Sequence, residues 1–143
     1  LSDNHREAML ELAIVGHEGL KINTIEDHLP KPNYSVNTLR ALQKQHPDDE
    51  FHLIIGADNW EIFDRWREWT EIVSKFHLII YPRPGYRYPQ VDAGQYPNVQ
   101  VVDAPQLDIS STEIRERYKK GESISHLVAP DVLTYINQNK LYK

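Results

Sequence analysis

Two periods of apolar and polar positions run along the chain. In residues 4–14, Met9, Leu10, Leu12, Ala13 and Ile14 follow the cap-like Ser2-Asp3-Asn4, which predicts a helix ending near Gly16. Residues 20–25 alternate apolar and polar side chains as a short strand would, and Pro30-Lys31-Pro32 then requires a loop. Ser35 is placed to cap a helix that runs to about His46, where Pro47 follows. Phe51-His52-Leu53-Ile54-Ile55 and Phe76-His77-Leu78-Ile79-Ile80-Tyr81 are compact apolar runs of strand length with helical sequence between them. Pro82, Pro84, Pro89 and Pro97, with Gly85 and Gly94, make residues 81–97 a long loop. Residues 99–102 read as one more strand. A helix beginning at Ser111 is closed by Gly121 as its C′ residue, and a last helix opens at Pro130-Asp131 and ends before Leu141.

Strands that alternate with helices imply the α/β class, with a mainly parallel sheet flanked by helices. Ligands of such sheets bind at the carboxyl ends of the strands. Gly56-Ala57-Asp58, Arg83-Pro84-Gly85 and Ser110-Ser111-Thr112 each follow a predicted strand, so they are expected to face one cleft. The length fits a single domain, 1–143, with residues 103–143 as its C-terminal helical part.

Composition narrows the function. With 40% hydrophobic and 26% charged residues the chain has the make-up of an ordinary globular protein. Its net charge of −5 argues against a non-specific nucleic-acid binder, so any polyanion needs local positive charge or a metal. No apolar stretch is long enough to span a bilayer, and no signal-peptide pattern is present, which leaves the cytoplasm as the expected location. The absence of cysteine removes disulfides, thiolate catalysis and Cys-ligated zinc. The seven histidines show no metal-ligand spacing along the chain, so no metal is expected on protein side chains. There is neither a Gly-x-Ser-x-Gly elbow nor a Walker-type glycine loop, which sets aside those hydrolases and P-loop enzymes.

The most informative segment is Ile109-Ser110-Ser111-Thr112-Glu113-Ile114-Arg115. Ser110 and Glu113 have the spacing of a capping box, in which each side chain satisfies an orphan backbone N–H. Arg115 stands in the first turn, where the macrodipole disfavours a cation unless an anion lies against it. Free N–H groups, the hydroxyls of Ser110, Ser111 and Thr112, and the Arg115 guanidinium together would hold a triphosphate. A bare cap is the plainer reading. From Ser111 to Lys120 four basic residues stand against two acidic ones, which suits a polyanion within an acidic chain.

Other candidates also have a plain and a functional reading. Gly56 lets the backbone come close to a ligand and Asp58 can accept from ribose hydroxyls, or Asp58 simply caps the next helix. Arg83 is held by its flanking prolines near a phosphate, or is an ordinary surface arginine in a turn. Ile62, Trp66, Trp69 and Val73 are spaced as a core stripe, the reading that spacing favours. The alternative has Asp64-Arg65-Trp66 interrupt the helix and present an indole face to a flat cationic ring. At Tyr34-Ser35, backbone N–H groups at a helix start could meet a carboxylate.

In this order the pieces resemble the bacterial nicotinate-nucleotide adenylyltransferase family of the nucleotidyltransferase superfamily. The family's Arg-x-x-Met-Leu-x-Leu-Ala helix resembles the stretch from Arg6 to Ala13, and its Tyr-Thr-x-x-Thr-Leu motif resembles Tyr34-Ser35-Val36-Asn37-Thr38-Leu39. Its Ile-Ile-Gly-x-Asp resembles the residues from Ile54 to Asp58, and its Arg-Pro-Gly-Tyr turn resembles Arg83-Pro84-Gly85-Tyr86. Ile-Ser-Ser-Thr-x-Ile-Arg is similar to Ile109 through Arg115, and the C-terminal helix to Val128-Ala129-Pro130, Tyr135-Ile136 and Leu141-Tyr142.

The resemblance implies a Rossmann-like nucleotidyltransferase fold and transfer of AMP from ATP to nicotinate mononucleotide, with Mg²⁺ carried by the ATP phosphates. It implies that Trp66 stacks on the pyridine ring and that Tyr34 and Ser35 meet the nicotinate carboxylate. Asp58 would hold a ribose and Arg83 the mononucleotide phosphate. Gly56, Ser110, Ser111, Thr112 and Arg115 would serve ATP, with Arg115 stabilising the transferring phosphates. Ser35 stands where the family more often has threonine, and Arg67 where a tyrosine is often found.

The family's opening strand and Gly-Gly-x-Phe-x-Pro-x-His-x-Gly-His loop have no match, so the first βα unit and its two phosphate-stabilising histidines are absent from this sequence. The chain is therefore expected to be a piece of a longer protein, inactive by itself, with exposed strand edges that favour a homo-oligomer. The alternatives are a related nucleotidyltransferase that prefers nicotinamide mononucleotide or a cytidyl donor, and a non-catalytic nucleotide-binding remnant. A plain structural α/β domain is the remaining reading.

Overall fold

The computed structural model describes all 143 residues. Its helices are α1 (Asp3–Ala13), α2 (Ser35–Gln45), α3 (Ala57–Glu61), α4 (Trp69–Lys75), α5 (Ser111–Lys119) and α6 (Pro130–Gln138). Its strands are β1 (His52–Gly56), β2 (His77–Tyr81) and β3 (Val99–Val101). They divide between two compact units, one of Thr24–Asp108 and one of Leu1–Asn23 with Ile109–Lys143.

The unit Thr24–Asp108 is the α/β part. Its three-stranded sheet has the order β1-β2-β3 and is parallel throughout, with His52 opposite His77, Ile55 opposite Ile80 and Ile80 opposite Val101. Side chains alternate across a sheet, so this register gathers Leu53, Ile55, Leu78, Ile80 and Val99 on one face. That face joins Val36 and Leu39 of α2, Phe63, Ile72 and Val73 of the β1–β2 connection, and Phe76 in one buried cluster. Each such side chain contributes about 1.5–3 kcal/mol when fully buried, which is what fixes the register. The opposite face carries His52, Ile54, His77 and Ile79, and there Ile54 is 64% exposed.

The β1–β2 connection is α3, a 3-10 turn at Phe63–Arg65, and α4. The crossover from β2 to β3 is the expected long loop. It is tied down where the Trp60 indole donates to the Gln90 carbonyl at 3.3 Å and where Asp92 accepts from Gly94 N–H at 2.9 Å.

Residues 20–25 form no strand. A turn closes at Leu20, whose N–H donates to the His17 carbonyl at 3.3 Å after Gly19 at φ +88°, and another opens at Thr24, whose carbonyl accepts from Asp27. Between two turns the alternation is too short to pair with any strand, and Ile25 instead starts a 3-10 turn with its side chain buried.

The unit of Leu1–Asn23 and Ile109–Lys143 is helical. α1 packs on α6, where His5 Nδ1 lies 2.8 Å from the Tyr135 hydroxyl, and Tyr118 of α5 donates to Asn137 of α6 at 2.8 Å. Ile124, Ile136 and Leu141 are buried there. α5 ends as expected at Gly121, with φ +77°. Gly121 N–H bonds the Tyr118 carbonyl and Glu122 N–H the Arg117 carbonyl, the paired bonds of a Schellman stop. No helix is long and apolar enough to cross a membrane.

Candidate active site

At the carboxyl edge of β1 and β2 the backbone and two charged side chains converge. Gly56 ends β1 and is the N-cap of α3, so Asp58 lies inside the first turn and is not the cap. A Cβ on Gly56 would stand 2.5 Å from Asp58 Oδ1, 2.8 Å from Arg83 Cδ and 3.1 Å from the Tyr81 ring. Its φ is −85°, so the glycine answers a need for space and not for an unusual backbone. Arg83 stands two residues beyond β2 between Pro82 and Pro84, and its Nη1 reaches Asp58 Oδ2 at 3.5 Å. Asp58 Oδ1 is buried and has no hydrogen-bond partner. The side chain as a whole keeps 29% of its surface, so the carboxylate can also accept from a hydroxyl donor that comes to the strand edge.

A second group lies between the start of α2 and the break in the β1–β2 connection. A cavity of about 320 Å³ is lined by Asn33, Tyr34, Ser35, Arg65, Trp66 and Arg67. Tyr34 is the N-cap of α2 without a side-chain bond, and Ser35 is its first helical residue. The expected Ser35 cap is thus displaced by one position, because Tyr34 takes the extended conformation (φ −99°, ψ 135°) in which the helix starts. Ser35 and Val36 N–H, at the first two helical positions, have no acceptor within the helix.

Trp66 does not continue a core stripe. The helix stops after Glu61, Trp66 is extended at ψ 143°, and Glu68 is left-handed at φ 49°, so the 3.6-residue period is lost. Phe63 is buried in place of Ile62, which is 43% exposed, and the half-buried Trp66 ring leans on Phe63 at a centroid distance of 4.9 Å. Arg67 lies 4.8 Å over the Tyr34 ring and closes the same cavity.

Sequence reasoning missed Arg40. This α2 side chain donates to Glu71 at 2.6 and 3.0 Å and to Glu68 at 2.9 Å, joining α2 to the chain just after Trp66-Arg67. Hydrogen bonds from Arg40 hold the Glu71 carboxyl below its ordinary value, and those to Glu71 and Glu68 raise Arg40. The partners are 31 and 28 residues away, so no local spacing could reveal them. A further cavity of about 550 Å³, also unforeseen, lies between Trp60, Glu61 and Trp69 on one side and Arg87, Tyr88 and Tyr96 of the long loop on the other.

In the helical unit Ser110 is the N-cap of α5, and its Oγ accepts from Glu113 N–H at 3.2 Å. The reciprocal half of the capping box is not formed, because Glu113 pairs with Arg117 one turn on at 2.8 Å. Arg115 contacts only the Thr112 hydroxyl, at 3.4 Å, and has no carboxylate partner. Ser111, Thr112 and Arg115 are exposed, so the start of a nine-residue helix presents two hydroxyls and an unneutralised guanidinium to solvent. Ser111 and Arg115 border an apolar cavity of about 180 Å³ that Met9, Ile124 and Ile136 also line. The predicted residues thus form three local groups: Gly56, Asp58 and Arg83; Tyr34, Ser35 and Trp66; and Ser110, Ser111, Thr112 and Arg115.

The sequence model of the cytidylyltransferase-like family matches residues 1–117. A protein of Bacteroides fragilis named "Probable nicotinate-nucleotide adenylyltransferase" is 44% identical over 95% of this chain and 67% of its own length. One of the same name from Flavobacterium johnsoniae is 38% identical over 100% of this chain and 74% of its own. Among solved structures, nicotinic acid mononucleotide adenylyltransferase of Plasmodium falciparum, complexed with NaAD, superposes with a TM-score of 0.81 at 21% identity, over 99% of this chain and 75% of that one. At that identity the likeness speaks for the Rossmann-like nucleotidyltransferase fold alone. The chain spans about two thirds to three quarters of the length of these relatives.

Proposed function

The chain belongs to the cytidylyltransferase-like family, and from that membership we propose that its protein transfers AMP from ATP to nicotinate mononucleotide in NAD biosynthesis. The observation that carries this reading is the 38–44% identity, along nearly the whole chain, to proteins named for that reaction. The products are nicotinate adenine dinucleotide and pyrophosphate. The 5′-phosphate oxygen of the mononucleotide attacks the α-phosphorus of ATP, and the bond to the bridging oxygen breaks as pyrophosphate leaves. Such a reaction needs no covalent enzyme intermediate; it needs alignment and neutralised charge.

The geometry supports a part for each residue in this reading. The pocket of Tyr34, Ser35 and Trp66 takes the nicotinate group: the indole stacks on the cationic pyridine ring, and the Ser35 hydroxyl with the free N–H groups of α2 meets the carboxylate. Gly56 leaves room at the strand edge, the exposed part of the Asp58 carboxylate accepts from a ribose hydroxyl, and Arg83 meets the mononucleotide phosphate. The start of α5, with Ser110, Ser111, Thr112 and Arg115, takes the ATP phosphates. Mg²⁺ enters as part of the MgATP substrate, carried by the ATP phosphates. On this reading the protein works in the cytoplasm.

The test is product identification. Full-length protein incubated with MgATP and nicotinate mononucleotide should yield nicotinate adenine dinucleotide and pyrophosphate in equal amounts by chromatography. ATP bound without turnover would replace the reading with a binding role.

A further inference from the structure

The amino ends of β1 and β2, opposite the nucleotide edge, hold three side chains that the proposed reaction leaves unused. His52 and His77 are directly paired in the parallel register, so both project from the same sheet face at the same level. Their rings are stacked, 4.5 Å between centroids and 13° apart. Glu50, just before β1, places one carboxylate oxygen 2.7 Å from His52 Nε2 and 3.1 Å from His77 Nε2. The three ligand atoms all lie within 4.8 Å of one another.

We propose that Glu50, His52 and His77 form a binding site for a divalent zinc-type ion that staples β1 to β2. Two imidazoles and one carboxylate are a complete protein donor set for zinc, which keeps its remaining position for water. Zinc–ligand bonds of about 2.0–2.2 Å in a tetrahedron put neighbouring ligand atoms about 3.3 Å apart, so Glu50 moves back from His52 Nε2 by about 0.6 Å and the two rings, now 13° from parallel, turn out of their stack until both planes contain the ion. Both Nε2 atoms already lie against the same carboxylate oxygen, and all three side chains reach solvent, that of Glu50 being 66% exposed. Stacked imidazoles around one carboxylate oxygen repel one another once both are protonated, whereas a metal ion makes the same convergence favourable.

The site cannot be read from spacing along the chain, because the two histidines are 25 residues apart and only the strand register joins them. It is also too far from the nucleotide edge for the phosphoryl chemistry. Five-residue strands put about 13 Å between their ends. Its effect is therefore on the fold: it reinforces the β1–β2 register, already set by the buried face, that places Gly56 and Asp58 against Arg83.

The test is zinc binding by the full-length protein at neutral pH, by calorimetry and by competition with a chromophoric chelator. Binding of one ion per chain is expected at this site. His77→Ala and Glu50→Gln should each weaken it at least ~10-fold, since even an outer-shell partner is worth that much. His126→Ala should leave it unchanged. Zinc should raise the melting temperature of the unaltered protein, and a chelator should reverse the rise, while Glu50→Gln, an exposed and structurally mild change, loses the response. Co²⁺ in the unaltered protein should give the visible spectrum of a tetrahedral histidine–carboxylate site. No saturable binding, or equal affinity in the His77→Ala and Glu50→Gln variants, would overturn the proposal.

Discussion

Replacing Gly56 by alanine adds one methyl group at the point where β1, Asp58 and Arg83 meet, and its consequences can be worked from the distances. The backbone at φ −85° accepts alanine, so strain in the main chain is not the issue. The new Cβ would stand 2.5 Å from Asp58 Oδ1 and 2.8 Å from Arg83 Cδ, against an ordinary contact of 3.4 Å, so the carboxylate must retreat by about 0.9 Å. It cannot do so freely, because that oxygen is buried. Overpacking of this kind costs about 1–3 kcal/mol, offset by about 0.4–1 kcal/mol from the stiffer unfolded chain. A net loss of about 1–2 kcal/mol lowers the melting temperature by roughly 2–8 °C. The effect on activity is larger in proportion, since displacing a positioning group by about 1 Å costs on the order of 100-fold. The assay is pyrophosphate release by the full-length protein, reported as kcat/KM for the mononucleotide, beside a thermal melt. Gly121→Ala is the control. There the φ of +77° makes the substitution destabilising by about 1–2 kcal/mol, with open space around the Cβ and none of the residues assigned to the nucleotide displaced. A Gly56→Ala protein with unchanged kcat/KM and unchanged melting temperature would refute the reasoning.

Three further outcomes are expected. Arg115→Ala removes a guanidinium with no carboxylate partner, so ATP affinity should fall by about 10–150-fold, the worth of a charged hydrogen bond, with little change in stability; equal ATP affinity would remove its phosphate role. Trp66→Ala should raise KM for the mononucleotide by about 5–150-fold, the range of one stacked ring, and Trp66→Phe should recover most of that loss; an effect confined to stability would return Trp66 to the core. Glu71 has its folded-state pKa lowered by Arg40, so its contribution to stability is complete above the ordinary value of 4.5 and is lost as pH falls through the folded value. Melts of the unaltered protein and Glu71→Gln should therefore differ above that pH and converge below it, and parallel curves at all pH would show that the clamp carries no linked stability.

Much of the α/β part was legible because burial writes itself into periodicity. The runs around Leu53-Ile54-Ile55 and Leu78-Ile79-Ile80 are too short and too apolar for surface helices, and both are strands. Gly121 after a basic last turn and Pro130 before an apolar run are local chemistry, and both end or start a helix where expected. Residues 20–25 misled because alternation records a pattern of faces and not the presence of a neighbour to pair with. Ser35 misled by one position, since a hydroxyl at a helix start is a cap only if its own backbone is extended, and here Tyr34 has that conformation.

The stripe through Ile62, Trp66, Trp69 and Val73 presumed an unbroken helix, and the left-handed Glu68 breaks it in a sequence with neither Gly nor Pro to announce the break. Glu68 is also bound by Arg40 from another helix, a tertiary contact that no local preference announces. The same limit hid the cluster of Glu50, His52 and His77, which exists only through strand register. Gly56, Asp58 and Arg83 were expected together because each follows a strand, whereas strand register at His52 and His77 and helix packing at Arg40 leave no mark on propensity or period.

The central claim is transfer to the acid form of the pyridine nucleotide through the pocket of Tyr34, Ser35 and Trp66. Its most direct test is the ratio of kcat/KM for nicotinate mononucleotide to that for nicotinamide mononucleotide, measured with the full-length protein, MgATP and a pyrophosphate readout. The account predicts a strong preference for the acid, reduced in Ser35→Ala where the carboxylate loses a hydroxyl donor. An equal or reversed ratio would contradict it.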